Sequence, residues 1–191
     1  KMVDTSDEWI VTRTGMKERR LAAEDEPTSE MGFQAAKRAI EKAGIEVGEI
    51  ELILFATLTP DYPFPSTACL IQARLGAFNA AAVDLQAACT GYIYALSQAK
   101  AYIESGMYQS ILIVASEKLS SIVNYQDRAT SVLFGDGAAA CIVAAKGKGL
   151  LISDICLGAD GRLAELLIIP AGGSKRPASI ETVQANQHYL Q

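Results

Sequence analysis

The stretch VDLQAACTGYIYAL, residues 83–96, decides the fold, because its hydrophobic pattern changes within a few residues. The run AAAVDL at residues 80–85 predicts a short strand, although alanine is a poor strand former. The segment from Cys89 to Glu104 has the spacing of a helix. Cys89 therefore falls where a strand gives way to a helix.

The segments on either side continue this alternation. The run TSEMGFQAAKRAIEKA, residues 28–43, predicts a helix that begins with a Thr/Ser cap, has Met31, Ala35, Ala39 and Ile40 at helical spacing, and ends at Gly44. A further helix is predicted for residues 67–76, and strands are predicted for the apolar runs at 50–58, 111–117 and 138–145. Alternating strands and helices predict an α/β protein whose mainly parallel sheet is covered by helices on both faces.

Small residues recur along the predicted helix around Cys89: Ala88, Gly91, Ala95 and Ala99. Since its other faces are also mostly apolar, we expect this helix to be buried nearly all round. Cys89 lies in its first turn, where unpaired N–H groups and the helix dipole favour a thiolate. Two interpretations stay open at this point. Cys89 is a nucleophile, or it is a small core residue like Cys69 and Cys141.

The composition excludes several classes of protein. The 191 residues carry a net charge of −5, and half of them are hydrophobic, with no apolar run long enough to cross a membrane. A nucleic-acid surface needs a concentrated basic footprint, which the chain lacks. The chain has one histidine and four cysteines, and no two of the cysteines form a CxxC pair: Cys69, Cys89, Cys141 and Cys156. We therefore expect no metal site, no disulfide framework and reduced thiols in a cytoplasm-like compartment.

Four separated motifs carry a resemblance to a known family: DTSDEWIVTRTGMKERR at 4–20, FPSTACLIQARLG at 64–76, AACTGYIYAL at 87–96 and DRATSVLFGDGAAA at 127–140. Together they resemble the β-ketoacyl-acyl carrier protein synthase III family, the condensing enzymes that start fatty acid chains. The resemblance implies a thiolase-like fold, in which two βαβαβ halves pack in αβαβα layers. It also implies a homodimer in the cytoplasm or plastid stroma, with no permanently bound cofactor.

The resemblance implies a role for Cys89 as the nucleophile of an acyltransferase. Cys89 would take an acetyl or other short acyl group from acyl-CoA as a thioester. A carbanion from decarboxylating malonyl-acyl carrier protein would then attack this thioester. Dividing the reaction into two steps is the general advantage of covalent catalysis.

The same resemblance implies a site for coenzyme A. Trp9 and Arg128 match the pair that encloses the adenine, and Thr5 and Arg13 match neighbouring contacts. From the residues alone, the single tryptophan is equally a core residue, and Arg128 is a surface partner of Asp127.

Phe64, Leu119 and Phe134 resemble walls of the acyl pocket, and Phe64 matches the residue that reaches across the dimer interface. Aromatic and leucine side chains at such positions are otherwise core residues. The run GDGAAA at 135–140 fits a loose dinucleotide pattern, but a strand follows it, so we interpret its glycines as a tight turn near the active site.

The chain departs from the family in one respect. The catalytic His and Asn of the family's second half are not found, and neither is the strand that precedes residue 1. We expect residues 1–146 to form the N-terminal half without its first strand, and 147–191 to connect to and begin the second half. His188 is interpreted as a loop or surface residue. On this view the 191 residues alone do not decarboxylate malonyl groups.

Two alternatives to this function stay open. The first is a related thiolase-superfamily synthase, of the polyketide or quinolone type or a hydroxymethylglutaryl-CoA synthase. The second is a non-catalytic acyl-binding subunit in which Cys89 only packs.

Overall fold

The computed structural model describes residues 3–191, so Lys1 and Met2 of the predicted first domain lie outside the described residues. The chain divides into two compact units. The sheet unit comprises Ala22–Glu117 and Gly137–Leu157, and the loop-rich unit comprises the residues up to Leu21, Lys118–Asp136 and Gly158–Gln191. The domain boundary at residue 146 stays a prediction.

The helices and strands follow one another in the order α1 (Asp7–Thr14), α2 (Thr28–Ala43), β1 (Leu52–Ala56), α3 (Thr67–Leu75), β2 (Ala81–Leu85), α4 (Gly91–Glu104), β3 (Ser110–Lys118), α5 (Arg128–Ser131), β4 (Asp136–Ala144) and α6 (Ile180–Gln184). Glycines end α2 and α3 as predicted, because Gly44 and Gly76 adopt left-handed conformations with φ of 66° and 73°.

One four-stranded sheet has the order β2-β1-β3-β4. The central strand β1 pairs in parallel with β2 and with β3, so that Leu52 lies beside Ala81 on one side and Ile111 on the other. Ala145 N donates to Gln109 O at 3.0 Å, which places the end of β4 beside the start of β3. The strand β4 is therefore antiparallel, and the predicted mixed, mainly parallel sheet is confirmed.

Helices cover both faces of this sheet. On one face α2 and α3 pack against Ile53 and Phe55 of β1, and on the other face α4 packs against Leu52 and Leu54. All five residues of β1 are buried. A strand buried on both faces explains why its sequence is a continuous apolar run without alternation.

Gly32 sets the closest approach of α2 to the sheet. A Cβ atom at this position would lie 2.7 Å from Cε2 of Phe55, whose side chain is fully buried. The buried stripe of α2 is therefore Gly32, Ala36 and Ile40, and of the four apolar positions noted in the sequence only Ile40 is buried. The predicted Thr/Ser cap is wrong, because Pro27 is the N-cap residue and Asp61 Oδ1 accepts from Ser29 N at 2.8 Å.

Two expectations about burial are wrong. In α4 the buried residues are Gly91, Ala95 and Ala99, whereas Ile93 is 42% exposed, so the helix is not buried all round. Within residues 3–191, only one side of α4 meets the sheet. Cys69 is exposed as well, so it is not a core residue.

Candidate active site

Cys89 lies beyond the carboxyl ends of parallel strands. In an open α/β sheet, these ends meet along one edge, where ligands and reactive groups collect. After β2 ends at Leu85, the chain makes a 3-10 turn over Ala88–Thr90 and continues into α4. The Cys89 residue is exposed in this turn. The predicted helix from Cys89 onward is therefore divided into a 3-10 turn and an α-helix.

The backbone before Cys89 is in an unusual conformation. Ala88 has φ of 45°, in the left-handed region that residues with a Cβ atom adopt at a cost of about 1–3 kcal/mol. Thr90 holds the turn closed, because its N and Oγ1 both donate to Ala87 O, at 3.1 and 2.8 Å. A sharp turn of this kind holds residue 89 away from the regular hydrogen bonding of the strand and the helix.

Gly91 allows α4 to begin in close contact with the sheet. A Cβ atom at Gly91 would lie 3.1 Å from Cβ of Ala56, the last residue of β1. With Ala95 and Ala99 it forms the buried side of α4. Three residues of the predicted small-residue stripe therefore form the side of α4 that packs against the sheet.

Glu117, near the end of β3, fixes the segment that follows β1. Its carboxylate accepts hydrogen bonds from Leu58 N (2.8 Å), Thr59 N (3.1 Å) and Thr57 Oγ1 (3.2 Å), and from Thr59 Oγ1. The side chain is only partly exposed. A carboxylate with this many donors is held in one orientation.

Burial raises the pKa of Glu117 above its ordinary value of 4.5, although the hydrogen bonds from Thr59, Leu58 and Thr57 act in the opposite direction. A raised pKa means that the folded protein binds this proton more tightly than the unfolded chain does. The resulting stabilisation is complete below the unfolded pKa and is lost as the pH rises through the folded pKa.

We therefore expect the free energy of unfolding of the native protein to increase relative to that of Glu117→Gln as the pH falls from about 7 to about 5. Urea denaturation of both proteins at the two pH values measures this, and all other titrating groups cancel in the difference. A difference that stays constant, or moves in favour of the glutamine variant, contradicts the expectation.

Asp84 connects β2 to the start of α3. Its two carboxylate oxygens accept from Thr67 N and Ala68 N, both at 2.7 Å, and so satisfy two free N–H groups of the helix end. Ser66, the N-cap residue of α3, accepts from Cys69 N. Phe64, just before this helix, is 88% exposed, and its role at a dimer interface stays a prediction.

In the loop-rich unit, α1 brings Trp9 and Arg13 together. Ser6 begins the helix by accepting from Trp9 N, and Gly15 ends it with φ of 72°. Residues four apart share one side of a helix, and the Arg13 guanidinium lies 4.3 Å from the centre of the indole ring. This helix was not predicted, although both of its capping residues, Ser6 and Gly15, are visible in the sequence.

Arg128 also lies beside Trp9, and its role in binding the adenine stays a prediction. Its guanidinium lies 5.0 Å from the centre of the Trp9 ring, and Nη1 donates to Asp4 O at 3.1 Å. Asp127 instead caps α5, accepting from Ala129 N at 2.9 Å. Arg128 and Trp9 together form a stacking surface suited to a purine.

A purine between Trp9 and Arg128 would need more room than this separation gives. A flat ring in van der Waals contact on both sides requires about 7 Å between its neighbours. The 5.0 Å between Arg128 and the Trp9 ring therefore has to widen before a base enters.

Thr5 and Phe134 line a cavity of about 270 Å³ within the same unit. Four of its lining residues have a buried polar atom without a hydrogen-bond partner among residues 3–191: Thr5 Oγ1, Arg19 Nη1, Tyr125 OH and Ser131 Oγ. Unpartnered buried polar atoms are costly, so they mark this cavity as a place where a polar group fits. Arg19, Tyr125 and Ser131 were not predicted, and Arg19 lies within the first of the four family motifs, residues 4–20.

Gly135 and Asp136, where β4 begins, contact the segment that follows α1. A Cβ atom at Gly135 would lie 2.9 Å from Arg20 O, and Asp136 N donates to the same oxygen at 2.7 Å. The Asp136 carboxylate accepts from Ser120 N and Oγ, next to Leu119, which is partly buried. The predicted tight turn is wrong, because Asp136–Ala144 is the strand β4, but the close approach of two backbones requires a glycine at position 135.

His188 lies in the turn that follows α6, with its ring against Tyr189, as expected of a loop histidine. Among residues 3–191, no group of three or more His, Cys, Asp or Glu side chains is placed to hold a metal ion. None of the helices described is long and apolar enough to cross a membrane.

Known proteins resemble the chain along its whole length. The sequence model described as 3-oxoacyl-[acyl-carrier-protein (ACP)] synthase III matches residues 83–161, which include Cys89. The β-ketoacyl-[acyl-carrier-protein] synthase III of Chlamydia caviae is 58% identical over all 191 residues. The chain spans 57% of the length of that relative.

Solved structures give the same result. The 3-oxoacyl-[acyl-carrier-protein] synthase III of Aquifex aeolicus superposes with a TM-score of 0.75 at 52% identity, over 77% of this chain and 47% of that one. The β-ketoacyl-[acyl carrier protein] synthase III of Thermus thermophilus superposes with a TM-score of 0.82 at 49% identity, over 87% and 51% of the two chains.

The mixed sheet with helices on both faces, and the Cys89 turn at its carboxyl edge, define an α/β fold of the thiolase-like class. Within that class, the chain is similar to the 3-oxoacyl-[acyl-carrier-protein] synthase III family.

Proposed function

We propose that the protein is an acyltransferase that initiates fatty acid synthesis, with Cys89 as its nucleophile. The observation that carries the proposal is the exposed Cys89 in a turn strained at Ala88, at the carboxyl ends of the parallel strands of the sheet. The names of the relatives support the same reaction. A strained turn that presents one side chain is a recurring property of nucleophile sites.

The first step forms an acyl-enzyme. The thiolate sulfur of Cys89 bonds to the acyl carbonyl carbon of acyl-CoA, the carbon–sulfur bond to coenzyme A breaks, and coenzyme A leaves as a thiolate that takes up a proton. In the second step, for which the family's His and Asn are not found among the 191 residues, malonyl-acyl carrier protein loses carbon dioxide. Its carbanion attacks the Cys89 thioester, which releases the cysteine thiolate and leaves a β-ketoacyl group on the carrier.

Trp9, Arg13 and Arg128 bind the nucleotide end of acyl-CoA in this proposal, with Thr5 beside them. The two guanidinium groups add positive charge for the phosphates and flat surfaces for the base. Acyl-CoA is a substrate here, and no permanent cofactor is assigned. Leu119 and Phe134 contribute walls of the acyl pocket, and Phe64 reaches across the interface of a cytoplasmic homodimer to line the pocket of the partner subunit.

Mass spectrometry of the protein after brief exposure to acetyl-CoA tests the proposal directly. We expect an acetyl thioester on Cys89 and none on the exposed Cys69 or Cys156. Folded protein without a label on Cys89 contradicts the role as nucleophile and favours a non-catalytic acyl-binding subunit. Transfer of the label to free malonyl-CoA in preference to malonyl-acyl carrier protein points to a related synthase of the superfamily.

The site for coenzyme A has its own test. We expect Arg128→Gln to raise the dissociation constant for coenzyme A about fivefold, because a stacked guanidinium contributes ~1 kcal/mol. Isothermal titration calorimetry measures the change. Arg74→Gln is the matched control, since Arg74 lies 4.1 Å from the ring of Phe33 in the sheet unit. Equal effects of the two substitutions contradict the assignment.

A further inference from the structure

We propose that Glu117 is a positioning residue that sets the reactivity of Cys89 through the segment Thr57–Thr59. The inference rests on the proposed function, since it concerns the nucleophile of that reaction. It adds a residue from β3, which neither the motifs nor the family resemblance assigned. The argument depends on contacts within the sheet unit only.

The Glu117 carboxylate accepts four hydrogen bonds from the segment Thr57–Thr59. Backbone N–H groups of Leu58 and Thr59 donate to it, and so do the hydroxyl groups of Thr57 and Thr59. Each of these donors lies within three residues of the end of β1. One side chain therefore binds all three residues that follow the central strand.

The end of β1 contacts the Cys89 turn at two points, one before Cys89 in the sequence and one after it. Before Cys89, the last residue of β2 is fixed, because Thr57 N donates to Leu85 O at 3.1 Å. After Cys89, Gly91 lies so close to Ala56 that even a methyl group would be at 3.1 Å. The residues between Leu85 and Gly91 include the strained Ala88. Their two ends contact Thr57 and Ala56, at and next to the segment that Glu117 binds.

A second set of hydrogen bonds fixes the same segment from the side of α2. Thr28 Oγ1 donates to Thr59 O at 2.6 Å, and Ser116 Oγ donates to Thr28 O at 2.9 Å. Thr28 and Ser116 are buried. Ser116 directly precedes Glu117, so two neighbouring residues of β3 hold the loop after β1, one directly and one through Thr28.

The decisive experiment measures the alkylation rate of Cys89 by iodoacetamide in the native protein and in Glu117→Gln. Glutamine keeps the shape of the side chain but replaces one acceptor oxygen with an amide that faces N–H donors. We expect the Cys89 rate to fall threefold or more, while the Cys69 rate in the same molecules stays constant. A smaller fall, or a rise, overturns the proposal.

Glu51→Gln is the matched control. Glu51 directly precedes β1 and accepts from Gln109 N, so it makes a comparable bond at the opposite end of the same strand. We expect this variant to leave the Cys89 rate unchanged. An equal fall in both variants would show a general loss of stability and would overturn the positioning role.

Thr59→Val is a second, milder variant that removes one hydroxyl donor to Glu117 and keeps the loop sequence otherwise intact. If Glu117→Gln does not fold, this variant decides by the same criterion. Alkylation needs no acyl-CoA, so the test is separate from the proposed function. Absence of acetyl transfer in the native protein refutes the function, whereas an unchanged alkylation rate refutes the positioning role.

Discussion

Replacement of Cys89 by alanine is expected to lower the rate of acyl transfer from acetyl-CoA by about a thousandfold or more, because the thioester cannot form. The structure gives a reason for a loss this large. Cys89 is the residue presented by the strained turn, and the neighbouring Thr90 and Gly91 offer no second thiol. Release of coenzyme A in a pre-steady-state burst is the measurement, and the burst should disappear.

Cys69→Ala is the control for the loss of an exposed thiol. Cys69 lies in α3, where its sulfur accepts from Ser66 Oγ at 3.1 Å. We expect its replacement to leave the burst unchanged. If the two alanine variants behave alike, Cys89 is a packing residue and the proposed function is wrong.

Gly32→Ala is expected to destabilise the protein by about 1–2 kcal/mol, although alanine is the better helix former. The substitution gains up to ~1 kcal/mol of helix propensity. Against this, the new Cβ atom would lie 2.7 and 2.8 Å from two ring atoms of Phe55 and 3.3 Å from Cγ1 of Val114, both fully buried. Overpacking of a core costs about 1–3 kcal/mol, and neither buried side chain can turn out into solvent.

Urea denaturation compares Gly32→Ala with Gly48→Ala. Gly48 is exposed, and a Cβ atom there has no other atom within 4 Å. The control should therefore be neutral or slightly stabilised. A Gly32→Ala protein as stable as the native one would mean that α2 moves away from the sheet at little cost.

The order of helices and strands was predictable because the signals are local. Continuous apolar runs define β1 and β3, and the glycines after α2 and α3 occupy the left-handed positions that glycine favours. The turn at Cys89 was less predictable. Its left-handed residue, Ala88, is not a glycine, and a 3-10 turn leading into an α-helix has nearly the same apolar spacing as a longer helix.

The carboxylates of the site were not predicted, because their partners come from distant segments. Glu117 accepts from residues about 60 positions earlier in the chain, and Asp84 accepts from the start of α3. A signal for both was nevertheless present. Asp84 stands among the apolar residues of β2, and Glu117 follows the apolar run 111–115 of β3. Partly buried carboxylates occur where donors satisfy them.

The central position of β1 has a consequence for synthesis of the chain on the ribosome. One hydrogen-bonding edge of Leu52–Ala56 is completed by β2 and the other by β3, which ends 62 residues after Ala56. At about 5–20 residues per second, this wait lasts roughly 3–12 s. For that time an apolar, uncharged strand without proline has an open edge, which is the condition under which nascent chains aggregate and chaperones bind them.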